Sequence, residues 1–207
     1  SSRRDAGPTS GPASSWSAAP RRPFIGRAAE IEALSAALAE VVEQRRQVTF
    51  HIRGPSGIGK SSLVHRFLSG QQGAYDPLVL SGRCHPEERV PYRALDAAID
   101  SLAHHLDALS PAALEALVPG GAHALLRLFP VLAKLPALRG APAPAVLPDA
   151  ADLRQQGFGA LRELLAALAE TRPLVVWLDD LQWGDMDSAP LLDELLRAPA
   201  PPFLDRK

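Results

Sequence analysis

The feature that most constrains this chain is the glycine-rich segment at residues 54–61, which reads Gly-Pro-Ser-Gly-Ile-Gly-Lys-Ser. It fits the pattern G-x-x-x-x-G-K-[ST], whose glycines allow the backbone to curl around an anion. The apolar run at residues 48–52 predicts a strand before this loop, and apolar residues at helical spacing predict a helix after it. A strand, a glycine-rich loop and a helix N-terminus together present backbone N–H groups to phosphate oxygens.

The last two residues of the motif distinguish it from an ordinary glycine-rich turn, which requires neither lysine nor serine. Lys60 is expected to reach the β- and γ-phosphates of a nucleotide and to act in catalysis, and the Ser61 hydroxyl is expected to ligate Mg²⁺. The loop therefore predicts a site for ATP and Mg²⁺. The residues expected to contact the nucleotide here are Gly54, Pro55, Ser56, Gly57, Ile58, Gly59, Lys60, Ser61 and Ser62.

A second apolar run, at residues 174–178, ends in the acid pair Asp179 and Asp180. A run that is apolar throughout predicts a strand buried on both faces of a parallel sheet. Its carboxylates then emerge at the carboxyl end of the strand, where open α/β sheets bind ligands. Asp179 is expected to hold Mg²⁺ from its second coordination shell, and Asp180 to orient or deprotonate the attacking water. Alone, the run fits any buried strand that precedes a capped helix, but together with the loop it predicts the second half of one metal–phosphate site.

The order of elements predicts an α/β fold of the P-loop NTPase class, with a parallel sheet and helices on both of its faces. Residues 78–80 predict a second strand, and the alanine- and leucine-rich stretch from Pro91 predicts a helical insert between the second and third strands. Residues 1–22, rich in Ser, Pro and Arg, predict a disordered linker, and residues 199–207 a tail.

Composition excludes several classes of function. A formal net charge of −1 gives no electrostatic reason to expect nucleic acid or an anionic membrane as a partner. The single cysteine, Cys84, excludes an internal disulfide framework and fits a reducing cytoplasm. No apolar stretch is long enough to span a bilayer, so a soluble cytoplasmic protein is expected.

Four blocks of this sequence resemble, in order and spacing, those of bacterial STAND-type AAA ATPases, also described as origin-recognition-like AAA domains. The blocks are PFIGRAAEIEALSAAL, HIRGPSGIGKSSLVHRFL, SGRCHPEERVPYRALDAAIDSL and RPLVVWLDDLQWGDMDSAPLLDELL. The resemblance implies an AAA-type P-loop ATPase domain at residues 23–198. It also implies an ATP-dependent switch joined to other domains of a longer signalling protein, such as a protein kinase domain or helical repeats. Similar domains occur in large bacterial serine/threonine-protein kinases and transcriptional regulators, but the chain contains no kinase motif.

The resemblance adds one set of binding residues to those of the loop. Phe24, Ile25, Gly26 and Arg27 match a hydrophobic-Gly-Arg box that lies near the adenine and ribose in this family. An equally good interpretation of these four residues is a turn that enters the first helix. Further residues match family blocks without revealing a chemistry of their own; they are Arg83, Pro91, Tyr92, Gln182, Trp183 and Asp185.

The resemblance also predicts that the C-terminal part of the fold is missing. In this family, a strand that follows the acid pair lies between the loop strand and the acid-pair strand, and carries a polar residue that reads the γ-phosphate. Residues 199–207 contain no such strand, so truncation and an empty central position in the sheet are expected. Three hypotheses therefore remain: an ATP-hydrolysing switch, a nucleotide-binding or interaction fragment without turnover, and a small-molecule phosphotransferase on the same scaffold.

Overall fold

The structure, a computed structural model, describes residues 26–85, 91–142 and 148–197. The predicted linker at residues 1–22, the tail at residues 199–207, and Phe24 and Ile25 lie outside this range. The α-helices are α1 (Ala28–Gln44), α2 (Lys60–Gly70), α3 (Arg93–Asp107), α4 (Pro111–Glu115), α5 (Ala122–Leu128), α6 (Pro136–Arg139), α7 (Ala150–Thr171) and α8 (Ser188–Leu196). The strands are β1 (Leu78–Arg83) and β2 (Leu174–Asp179), and short 3₁₀ turns occupy Pro130–Lys134 and Leu181–Trp183.

The two strands form a parallel sheet, with Leu78 opposite Leu174 and Arg83 opposite Asp179. Because side chains alternate along a strand, this register places residues of equal parity from both strands on the same face. Helices α3 to α7 lie between the two strands in the chain. The predicted α/β class, with a helical segment between these two strands, is confirmed in this coarse form.

Helices cover both faces of the sheet. On one face, Leu80 of β1 belongs to the larger core, which includes Leu102 of α3 and Leu161 of α7, both with no exposed surface. On the other face, Val79 and Val175 pack against a smaller core of residues from α1 and α2. Replacing a buried leucine of the larger core with alanine would cost about 2–5 kcal/mol.

The predicted strand at residues 48–52 is wrong, because this segment forms no sheet ladder. A strand requires a neighbour that supplies backbone partners, and within the described ranges β2 pairs only with β1. Phe50 consequently leaves 49% of its surface exposed. The expectation that residues 174–178 are buried on both faces is also wrong, since Val176 is 40% exposed, and among the described residues β2 has a neighbouring strand on one side only.

A close contact between α5 and α7 depends on a glycine. A Cβ atom added at Gly157 of α7 would lie 2.4 Å from Leu128 Cδ1 and 3.2 Å from the Ala124 carbonyl oxygen, both on α5. Two residues further along the same helix, a Cβ atom at Gly159 would meet nothing within 4 Å. Substitutions at these two positions therefore distinguish the cost of overpacking the helix contact from the effect of removing a glycine on helix propensity.

We expect Gly157→Ala to destabilise the protein by about 1–3 kcal/mol, because the added methyl group overpacks the helix contact. Gly159→Ala should stabilise it by about 0.5–1 kcal/mol, since alanine is the better helix former and the space is open. Urea unfolding of both variants measures the two free energies. Equal effects of the two substitutions would contradict the packing of α5 on α7.

Candidate functional site

The glycine-rich loop adopts the backbone that its sequence predicts, and leads directly into α2 at Lys60. Gly57 and Gly59 have φ values of 77° and 89°, in the left-handed region that favours glycine. Gly59 is the N-cap residue of α2, and no side chain among the described residues caps this helix end. The first N–H groups of the 11-residue helix α2 are therefore available to an anion at the loop.

Lys60 is held across the loop. Its Nζ atom donates hydrogen bonds to the Gly54 carbonyl oxygen at 3.0 Å and to the Pro55 carbonyl oxygen at 3.1 Å. The ammonium group thus sits over the loop that is expected to surround phosphate, with neutral acceptors rather than a carboxylate as its partners. Phosphate oxygens would be stronger acceptors for the same group, because charge-assisted hydrogen bonds exceed neutral ones.

The loop and the end of β2 meet in one hydrogen bond. The Ser61 hydroxyl donates to Asp179 Oδ2 at 2.7 Å, across a sequence separation of 118 residues. The Asp179 side chain is 14% exposed, so its carboxylate faces the loop more than solvent. The structure therefore places side by side the two residues that the sequence predicts for the metal.

The donor set fits Mg²⁺ chemically, because a hydroxyl and a carboxylate are the hard oxygen ligands that this ion prefers. In the part of the chain that the structure describes, no group of three or more His, Cys, Asp or Glu residues could hold a metal ion. Mg²⁺ is usually held by one or two carboxylates together with substrate phosphates. Ser61 and Asp179 therefore suit a metal ion that is shared with a phosphate ligand.

Asp180 is held on both oxygens of its carboxylate. Arg83 Nε donates to Oδ2 at 3.1 Å, and Gln182 Nε2 donates to Oδ1 at 3.2 Å. The Asp180 backbone has φ 55°, an unusual conformation for a residue with a side chain, and its N–H donates to Asp179 Oδ1 at 3.0 Å. The sequence predicted a role for Asp180 but missed the contacts of Arg83 and Gln182.

A cavity of about 310 Å³ opens beside these residues. Its lining residues are Ile52, Arg53, Gly54, Ser56, Lys60, Asp180 and Gln182. The cavity thus joins the glycine-rich loop to the second acid of the pair. A larger hollow of about 460 Å³ lies between α1 and α2, contains none of these residues and has no acid pair.

Arg27, the last residue of the hydrophobic-Gly-Arg box, contacts the glycine-rich loop. The Arg27 guanidinium donates a hydrogen bond to the Ile58 carbonyl oxygen. Gly26 and Arg27 have φ values of 85° and 61°, and Arg27 is the N-cap residue of α1. The helix-entry interpretation thus describes the local structure, while the contact with Ile58 brings Arg27 to the predicted nucleotide loop.

Asp185 fixes the segment after β2 to the start of α3. Its carboxylate accepts hydrogen bonds from the Tyr92 backbone N–H at 2.9 Å and from the Ser188 hydroxyl. Ser188 Oγ in turn accepts a bond from the Ala94 N–H at 3.3 Å. Burial raises the pKa of the Asp185 carboxyl, but these hydrogen bonds outweigh it and leave the pKa below its usual value. Trp183, two residues earlier, remains 48% exposed.

The sequence predicted no role for Asp185 or Tyr92. In the structure they are hydrogen-bonded to each other at the start of α3. Tyr92 is the N-cap residue of α3 in a left-handed conformation with φ 61°, and its own side chain makes no capping bond. Ser188, from a distant segment, accepts instead from the N–H of Ala94, the second residue of α3, while Asp185 binds the N–H of Tyr92 itself. No local pattern predicts this contact, because it joins residues that are 93 positions apart in the chain.

The glycine-rich loop, the start of α2 and the acid pair at the end of β2 thus meet in one place. A family model for the AAA ATPase domain matches residues 23–204. The chain belongs to this AAA ATPase domain family, whose members bind nucleotide. No curated protein and no solved structure matches the chain. None of the described helices is both long enough and apolar enough to cross a membrane.

We expect Asp185→Asn to destabilise the protein by about 1–2 kcal/mol at pH 7, because a charge-assisted acceptor is lost. The folded-state pKa of Asp185 is depressed, so its contribution is fully present above the unfolded value of about 3.9 and disappears as pH falls through the lower folded value. Urea unfolding at pH values from 7 down to 3 should show the difference between the proteins shrinking.

The matched control is Asp193→Asn on α8, which removes a carboxylate that is 75% exposed and pairs with Arg197 on the surface. Its effect should stay below about 0.5 kcal/mol at every pH. A difference for Asp185→Asn that is constant across this pH range would contradict the proposed source of its stabilisation.

Proposed function

We propose that this chain is the nucleotide-binding part of a STAND-type signal-transduction ATPase, in which ATP occupancy shifts a conformational equilibrium. The observation that carries the proposal is the 2.7 Å hydrogen bond between Ser61 of the loop and Asp179 at the strand end. It joins the two predicted halves of a metal–phosphate site, which lie far apart in the chain. The match to the AAA ATPase domain family supports the nucleotide as ligand.

The loop backbone, Lys60 and Arg27 would contact different parts of the nucleotide. The backbone N–H groups at residues 57–62 surround phosphate oxygens, and the N-terminus of α2 favours their negative charge. Lys60 exchanges the carbonyl oxygens of Gly54 and Pro55 for phosphate oxygens, which are the better acceptors for its charge. Arg27, which is hydrogen-bonded to Ile58 of the loop, would lie near the adenine and ribose, as the resemblance to STAND-type ATPases implies.

Ser61 and Asp179 would hold Mg²⁺, which supplies positive charge to phosphate oxygens during phosphoryl transfer. Asp180 orients the attacking water and can accept its proton. Its carboxylate is already fixed by Arg83 and Gln182, so little rotational freedom is left to lose at that point. Hydrolysis is assigned to the complete protein; the alternative is a fragment that binds nucleotide without turnover.

The proposed switch would act together with partner domains. The partners would be other domains of a longer bacterial signalling protein, such as a protein kinase domain, and their signal would be coupled to ATP occupancy. A cytoplasmic location is supported by Cys84, which is buried and is the only cysteine in the sequence.

We expect Lys60→Ala to weaken ATP binding at least about 10-fold, because one or more charge-assisted hydrogen bonds to phosphate are lost. Lys134→Ala, in the 3₁₀ turn after α5, is the matched control and should leave the affinity unchanged. Calorimetric titration with ATP measures both. Equal affinity of wild type and Lys60→Ala would exclude the glycine-rich loop as the nucleotide site.

Asp180→Asn should leave the affinity for ATP within about 3-fold, while single-turnover phosphate release in the complete protein falls about 100-fold or more. The reason is that the amide cannot accept a proton from water. Release that is equally fast in the variant would remove Asp180 from the mechanism. Absence of any release by the wild-type complete protein would decide for the alternative without turnover.

A further inference from the structure

The two acids at the end of β2 already have a positively charged partner, Arg83 at the end of β1. Arg83 Nε lies 3.1 Å from Asp180 Oδ2, and the terminal nitrogen Nη2 of Arg83 lies 3.5 Å from Asp179 Oδ2. The contact follows from the sheet register, which places Arg83 directly opposite Asp179. One guanidinium therefore spans both carboxylates.

The same oxygen of Asp179 serves both sides of the site. Asp179 Oδ2 accepts the Ser61 hydroxyl hydrogen bond and is also the oxygen nearest to Arg83 Nη2. Under the proposed function, this carboxylate is the one that would hold Mg²⁺. A divalent cation and a guanidinium that approach one carboxylate repel each other, so each weakens the binding of the other.

We propose that Arg83 is a built-in counter-cation of the acid pair: it balances the carboxylates in the nucleotide-free protein and lowers their affinity for a divalent cation. A metal ion on its own then gains little at this site. It binds well when nucleotide phosphates contribute further oxygen ligands and negative charge. Metal entry thereby depends on nucleotide, and this inference rests on the proposed function.

Two other cations among the described residues near the site, Lys60 and Arg53, do not have this position. Lys60 donates to the carbonyl oxygens of the loop, and Arg53 lines the cavity on the loop side. Arg83 is hydrogen-bonded to Asp180 and forms an ion pair with Asp179, so among the described residues it contacts both acids. Because a guanidinium remains charged at all accessible pH values, its effect on the metal does not depend on pH through its own titration.

A merely structural role for Arg83 makes a different prediction. If the guanidinium only ties the ends of β1 and β2 together, its removal lowers stability by the same amount with and without metal. If it acts as a counter-cation, its removal lowers the stability of the metal-free protein and raises the affinity for metal. The two effects have opposite signs, which separates the two roles.

The test compares wild type with Arg83→Gln, which removes the charge and keeps a polar side chain. Thermal unfolding is followed without nucleotide, with Mg²⁺ alone, and with ATP over a range of Mg²⁺ concentrations. Without ligands, Arg83→Gln should unfold at a lower temperature, because two adjacent carboxylates lose their counter-cation. The Mg²⁺ concentration that gives half of the metal-dependent stabilisation should fall about 3- to 10-fold relative to wild type, both with and without ATP.

Two further variants act as controls. Arg83→Lys keeps the charge but lacks the planar fork that spans both acids, so we expect a fall in the Mg²⁺ midpoint of about 2-fold. Arg127→Gln, on α5, changes the net charge by the same amount in the helical segment and should leave the midpoint unchanged. Should Arg83→Gln not fold, Arg83→Lys still carries the test.

The outcomes separate this inference from the proposed function. An Mg²⁺ midpoint for Arg83→Gln that is equal to or higher than that of wild type would overturn the counter-cation role, even with ATP bound normally. Failure of wild type to bind ATP would instead contradict the proposed function. The arm with Mg²⁺ alone still decides the inference in that case, because Arg83→Gln must then gain a metal-dependent stabilisation that exceeds that of wild type.

Discussion

The site depends on one interaction, the hydrogen bond from the Ser61 hydroxyl to Asp179 Oδ2. Ser61 is fixed because the loop glycines place it in the first turn of α2, and Asp179 is fixed because it is the last residue of β2. The bond therefore joins the N-terminal turn of α2 to the carboxyl end of β2. A phosphate site and an acid pair become neighbours as a result.

The rest of the fold holds these two ends in register. The pairing of β1 with β2 aligns Arg83 with Asp179, and the larger core packs α3 and α7 against the opposite face of the same strands. Asp185 then ties the segment after β2 to the start of α3 through the Tyr92 N–H. Residues outside the glycine-rich loop thus determine where the two carboxylates lie.

The sequence predicted those parts whose signal is local. The glycines and the strongly apolar runs before Asp179 and at residues 78–80 predicted the loop, β1 and β2. The strand at residues 48–52 was predicted wrongly, because a ladder requires a neighbouring strand, which a residue pattern cannot supply. The contacts of Arg83 and Asp185 were not predicted. The first depends on the register of β1 with β2 and the second on a hydrogen bond to the start of α3, and both arise only when distant segments meet.

We expect Ser61 and Asp179 to act together on a metal ion that accompanies ATP. A double-mutant cycle tests it most directly, with ATP affinity measured for Ser61→Ala, Asp179→Asn and the double variant, in Mg²⁺ and in EDTA. We expect a coupling of about 1 kcal/mol or more in Mg²⁺, equal to a factor of about 5, which is lost in EDTA. Additive effects in Mg²⁺, or an equal coupling in EDTA, would contradict it.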